Sequence, residues 1–89
     1  MKIQAKVKRV GEVRTGTSKT TGKNWAIRDV LLNWTDEAGE SYISASIDAN
    51  LWAGQGIEVG DTIQVELHFY TKLLPSCKIA NEIRIININ

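Results

Sequence analysis

The sequence has one cysteine, one proline, one histidine and no long apolar run among its 89 residues. Cys77 alone can form no internal disulfide, so the chain is not a disulfide-stapled scaffold and must be held together by packing. Residues 1–8 alternate apolar and polar side chains and lack the apolar stretch of a signal sequence. No segment approaches the roughly 18 consecutive apolar residues of a membrane helix, and a cytoplasmic location is the expectation. Catalysis also finds little support. His68 has no neighbouring Cys or paired acid with which to hold a metal, and Thr20-Thr21-Gly22-Lys23 has the wrong order for a phosphate-binding loop. Asp29 and Asp48 could approach across two strands, although like charges at a strand end serve equally as a solvated boundary. Cys77, beside Lys78, reads as a packing residue at the start of a strand. A non-enzymatic protein without metal or cofactor is expected.

What the chain does have is alternation. With 43% hydrophobic and 24% charged residues it is globular, and at 9.9 kDa it can bury one modest core, a single domain over residues 1–89. Ile3, Ala5 and Val7 alternate with Lys2, Gln4, Lys6 and Lys8. The phase then slips around Val10 and Val13, which predicts a bulge or bend at Gly11. Residues 15–24 read as a polar loop. Strands are predicted over Trp25–Thr35, Tyr42–Asp48, Thr62–Tyr70 and Cys77–Ile88. Residues 49–60 break the alternation, and Asn50-Leu51-Trp52-Ala53 suits one or two helical turns.

Five strands, a bend in the first, and a helical link only between the third and fourth predict an all-β fold, the five-stranded Greek-key barrel called the OB-fold. The run Val59-Gly60-Asp61-Thr62-Ile63-Gln64-Val65 suits a tight turn opening its fourth strand. An SH3-like barrel is the rival, but its links do not normally need the insertion that carries Leu51 and Trp52.

The net charge of +1 argues at first against a nucleic-acid binder, yet it conceals an asymmetry. Residues 1–28 hold eight basic side chains against Glu12 alone, whereas residues 29–89 hold three against nine acids. The basic third includes the first loop, which in an OB-fold borders the ligand face. Lys2, Lys6 and Lys8 are also explained as protection of a strand edge. Lys19, Lys23 and Arg28 cluster with an aromatic residue, which points to function.

Pairing Asp36 with Ser41 across the second hairpin sets Trp34 opposite Ile43, Leu32 opposite Ala45 and Val30 opposite Ile47, all inward. The other face then carries Trp25, Ile27, Asp29, Leu31, Tyr42, Ser44 and Ser46. Rings among small polar groups, with lysines near one end, suit single-stranded nucleic acid, because bases stack on rings and phosphates meet cations. Trp25 is the leading stacking candidate, and Tyr42 and Tyr70 have outward parity. Trp34, Phe69 and Trp52 read as core, the last as a plug in the barrel end.

Gly22-Lys23-Asn24-Trp25, then Arg28-Asp29-Val30-Leu31-Leu32, then Val59-Gly60-Asp61 resemble a family of small bacterial OB-fold proteins of unknown function related to single-stranded-DNA-binding proteins. The resemblance spans the first strand to Ile88 and puts Trp25 at the family's aromatic second-strand start, with Arg28 at a polar position just after it. Leu73-Leu74-Pro75 departs from the family's more polar and aromatic fourth-to-fifth-strand hairpin. No acidic tail follows, so recruitment of partners by such a tail is not expected.

The expectation is therefore a monomer or homodimer that binds single-stranded nucleic acid, DNA ahead of RNA, with little sequence preference. Lys19, Lys23, Arg28 and Lys72 would meet phosphates, and Trp25, Tyr42 and Tyr70 would offer rings. The alternative is a protein-interaction or oligomerisation module. Ile83, Ile85, Ile86 and Ile88 fall on both faces of the last strand, which could pair with a second chain.

Overall fold

The computed structural model describes residues 1–73 and 75–89. Its elements are β1 (Lys2–Thr17), β2 (Asn24–Asp36), β3 (Gly39–Asp48), α1 (Ala49–Ala53), β4 (Thr62–Leu73) and β5 (Ile79–Ile88). The strands close into a barrel in the order β1-β2-β3-β5-β4. Inward residues of every strand form one core: Ile3, Ala5 and Val7 from β1, Val30 and Leu32 from β2, Ile43, Ala45 and Ile47 from β3, Ile63, Val65 and Leu67 from β4, and Ile85 from β5. Trp52 of α1 joins them at 5% exposure, with Leu51 and Ile57 packed against the cluster. The short helix thus contributes the ring that completes the core.

Local chemistry fixes the connections. Asp48 caps α1, its carboxylate accepting from the backbone N–H of Asn50 (2.9 Å) and Leu51 (3.1 Å). The Gly60-Asp61 turn ties the return loop to β1, because Gly60 N–H donates to the Val7 carbonyl and Val7 N–H donates to the Asp61 carbonyl, both at 2.8 Å. Gly60 sits at φ +99°, where a side chain would be strained.

Bulges reconcile the sequence phase with the barrel. In β1 the register shifts between Val7 and Arg9 and again between Val10 and Val13, so the bend expected at Gly11 is present. In β5 Leu67 pairs with Ile85 while Glu66 pairs with Asn87, which leaves Ile86 as an extra residue. That insertion turns Ile85 and Ile88 to the same side. Ile85 is buried and Ile83 and Ile88 pack on the core, leaving Ile86 exposed, so three of the four isoleucines belong to the barrel itself.

Several expectations are corrected. Asp36 pairs with Gly39, not Ser41, so Trp34 faces Ser41, Leu32 faces Ile43 and Val30 faces Ala45. The Asp36 carboxylate accepts from Ala38 N–H at 2.8 Å and Gly39 takes φ +120°, which tightens the turn to two residues. Because the slip is two residues, every side chain keeps its expected face. The first loop is shorter than 15–24: β1 runs to Thr17, whose hydroxyl donates to Asn24 Oδ1 at 2.9 Å, and the turn spans residues 18–23. β1 pairs with β4 over Lys2–Lys6 and with β2 over Lys6–Thr17, so Lys6 is paired on both sides, whereas Lys2 and Lys8 each lie where β1 has one neighbour.

Phe69 keeps inward parity yet is 52% exposed, because β4 and β5 continue past the barrel as a projecting hairpin. Cys77 is exposed at φ +59° in the turn before β5, not packed at the strand start. Trp34 is half-buried against the core. Leu74, in the hairpin segment where the sequence departs from its resemblance, lies outside the described residues; Leu73 and Pro75 on either side are exposed. The surface is 6363 Å², above the roughly 5,200 Å² expected of a compact chain of this mass, as suits a barrel with a projecting hairpin.

Candidate functional site

Outward-facing residues of β2 and β3 form the floor of a groove of about 840 Å³, walled by the ends of the β1–β2 and β4–β5 hairpins. That is within the roughly 300–1,000 Å³ of ligand sites in general. Trp25, Ile27 and Asp29 come from β2, and Ser44, Ser46 and Asp48 from β3. Cross-strand pairs place Ile27 against Asp48 and Asp29 against Ser46. The two carboxylates are therefore offset by two ladder positions and serve different ends, Asp48 capping α1 and Asp29 binding Arg14.

Trp25 stands at one end, 43% exposed. Its partner across the ladder is Gly16. A Cβ added there would fall against ring atoms Cζ2, Cε2 (2.7 Å) and Cη2 (2.9 Å), so the indole lies over bare backbone. Next along β1, Arg14 reaches across to Asp29, Nη2 donating to Oδ1 at 2.9 Å, with both side chains at least half exposed. Such an ion pair is worth no more than about 1 kcal/mol and exchanges readily.

The opposite wall carries a second cluster. The Tyr70 hydroxyl donates to Glu82 Oε2 at 2.6 Å, and Lys72 Nζ stands 3.4 Å from the same oxygen. His68 stacks on the Tyr70 ring, with centroids 5.7 Å apart and planes at 24°, and the Lys72 ammonium lies over that ring at 5.7 Å. The hydrogen bond to Glu82 raises the Tyr70 pKa above its ordinary 10.0, and the same bond holds the Glu82 carboxyl below its ordinary 4.5. Arg84 completes the wall where β5 meets Ser46 of β3.

Of the residues singled out in the sequence, Trp25, Tyr70 and Lys72 line this groove together. Tyr42 is on the same face, two residues beyond Ser44 and opposite Asn33, and is 53% exposed outside the groove. Lys19 and Lys23 are exposed on the loop that follows the Gly16–Trp25 pair. Arg28 does not join them. It shares the parity of Val30 and Leu32, sits opposite buried Ile47, and its Nε is buried without a hydrogen-bond partner. Arg14 and Arg84 line the groove in its place and were not singled out. Among the described residues no three His, Cys, Asp or Glu side chains converge as metal ligands, and no helix is long and apolar enough to cross a membrane.

A closed five-stranded barrel with its one short helix between β3 and β4 is an OB-fold. Among solved structures, the second OB-fold domain of replication protein A from Methanococcus maripaludis is similar, with a TM-score of 0.63 at 24% identity over 99% of this chain and 79% of that one. At this identity the likeness establishes the fold. No protein-family model matches the chain, and no curated protein matches it significantly.

Proposed function

We propose that the groove binds single-stranded nucleic acid without catalysis, DNA ahead of RNA and with low sequence specificity. One observation carries the reading: an exposed indole at one end and a tyrosine–lysine pair on the facing wall border a single open groove of an OB-fold. Bases stack on Trp25 and on Tyr70, where the Lys72 ammonium now lies, and Lys72 moves to a phosphate. Arg14 and Arg84 supply further cations, with Lys19 and Lys23 at the rim. Tyr42 extends the ring surface past the groove. DNA is placed ahead of RNA because the solved neighbour is part of a replication protein. The basic first third of the chain supports the same choice of ligand, in the cytoplasm.

The test is fluorescence anisotropy with a labelled mixed-sequence 12-nucleotide DNA. Micromolar binding is expected at low salt. If about four phosphates are neutralised, log K falls against log[salt] with a slope near −3. No binding at high micromolar protein would sink the reading.

A second reading is favoured by the back of the β4–β5 hairpin, where Phe69, Leu73 and Ile79 are 52%, 78% and 70% exposed. Such a face suits contact with another protein or a second copy. Light scattering separates the two: a dimer that Phe69→Ser dissolves supports contact, and a monomer at all concentrations removes the homodimer.

A further inference from the structure

The charge in the groove is balanced, which is unusual for a surface that only follows phosphates. Arg14, Lys72 and Arg84 are matched by Asp29, Asp48 and Glu82. Asp48 is committed to capping α1. The other two are each held through one oxygen only. Asp29 uses Oδ1 for Arg14, and Glu82 uses Oε2 for both Tyr70 and Lys72. Among the described residues, Asp29 Oδ2 and Glu82 Oε1 carry no hydrogen bond.

An ionised carboxylate is an acceptor only. Each of these two is oriented by its cation and lines the groove that holds the rings: Glu82 is bonded directly to Tyr70, whereas Asp29 lies on the same face of β2 as Trp25, four residues along with Ile27 between them. A base stacked there turns its edge toward an open acceptor. Cytosine, adenine and guanine present exocyclic amino donors at that edge, and Asp or Glu accepts from them. Thymine and uracil present carbonyls, and their one ring N–H is flanked by two of these, which a carboxylate repels.

We propose that Glu82 and Asp29 select bases bearing an amino group over thymine and uracil. This rests on the single-strand reading and narrows it: sequence order is not read, but base class is.

The experiment compares labelled dC12, dT12 and dU12, all pyrimidine strands, by anisotropy on the wild-type chain. It is repeated on Asp29→Asn, Glu82→Gln and the double variant, with circular dichroism to verify folding. The wild-type chain is expected to bind dC12 tighter than both others by roughly three- to ten-fold, the range of one or two net hydrogen bonds. The amide variants both donate and accept, so the ratio should fall toward one even as overall affinity rises with the lost negative charge. Equal wild-type binding of the three strands overturns the proposal while leaving the single-strand reading intact. Variants that tighten all strands by one factor and keep the ratio also overturn it, since the carboxylates would then be counterions only. Absence of binding to any strand overturns both.

Discussion

The indole of Trp25 occupies the space that a side chain on Gly16, its partner in the ladder, would need. Glycine in a strand weakens it unless something approaches closely, and here a ring does. Gly16→Ala is expected to tilt the indole off β1. Oligonucleotide affinity should fall by about five-fold or more, the lower end of one lost stacking contact. The fold should persist, because the pair lies at the exposed end of a hairpin. Tryptophan emission, anisotropy and a thermal melt read the three effects separately.

Removing the ring is the direct counterpart. Trp25→Ala should cost about 1–3 kcal/mol of binding with little change in melting temperature, since the side chain is 43% exposed and outside the core. By contrast, Trp52→Ala should lose about 3–5 kcal/mol of stability as a buried aromatic truncation. Chemical denaturation of the two variants side by side checks the division of roles.

Arg28 and Lys72 look equivalent as charges in the sequence but stand in different places. Arg28 turns its buried, unpartnered Nε toward the barrel side of β2, so Arg28→Met should leave the melting temperature unchanged or raise it. Its oligonucleotide affinity should stay within about two-fold of wild type, since no groove contact is lost. Lys72→Gln should instead reduce the salt slope by about 0.7, the share of one phosphate on a single strand.

The Tyr70–Glu82 hydrogen bond links stability to pH at both ends. Glu82 has a folded-state pKa below 4.5, so its contribution is present above that value and is lost as pH falls through the depressed pKa. Tyr70 has a folded-state pKa above 10.0, so its contribution is present below 10.0 and is lost as pH rises through the raised value. Glu82→Gln should bring the Tyr70 titration, followed by tyrosinate absorbance, back toward 10.0. An unmoved titration would show that the bond is not the cause.

The fold was legible because period-two alternation names the inward residues of every strand, and because the hairpin error was an even number of residues. The site was legible where it depends on local chemistry, as at Trp25 after its loop. It was obscure where bulges or distant pairing intervene. In β1 the phase slips at Lys8 and returns before Val13, so the two irregularities cancel and Arg14 faces outward, whereas a single bend at Gly11 would turn it inward. Arg84 reaches the groove because β5 meets β3 in parallel at Ser46, a pairing 38 residues apart that no local pattern encodes. Phe69 was misread because alternation gives a side chain's face but not where the strand leaves the barrel.

Among the described residues, the ladder between β3 and β5 consists of the pair Ser46 and Arg84, supported by Ser46 Oγ donating to the Ile83 carbonyl at 3.4 Å. Those three residues also line the groove. The cylinder is thus fastened most thinly along the line its ligand would cross. A strand of nucleic acid lying there would act as a clasp, making occupancy and closure one event, and protection of the β5 amides from hydrogen exchange would rise with ligand concentration.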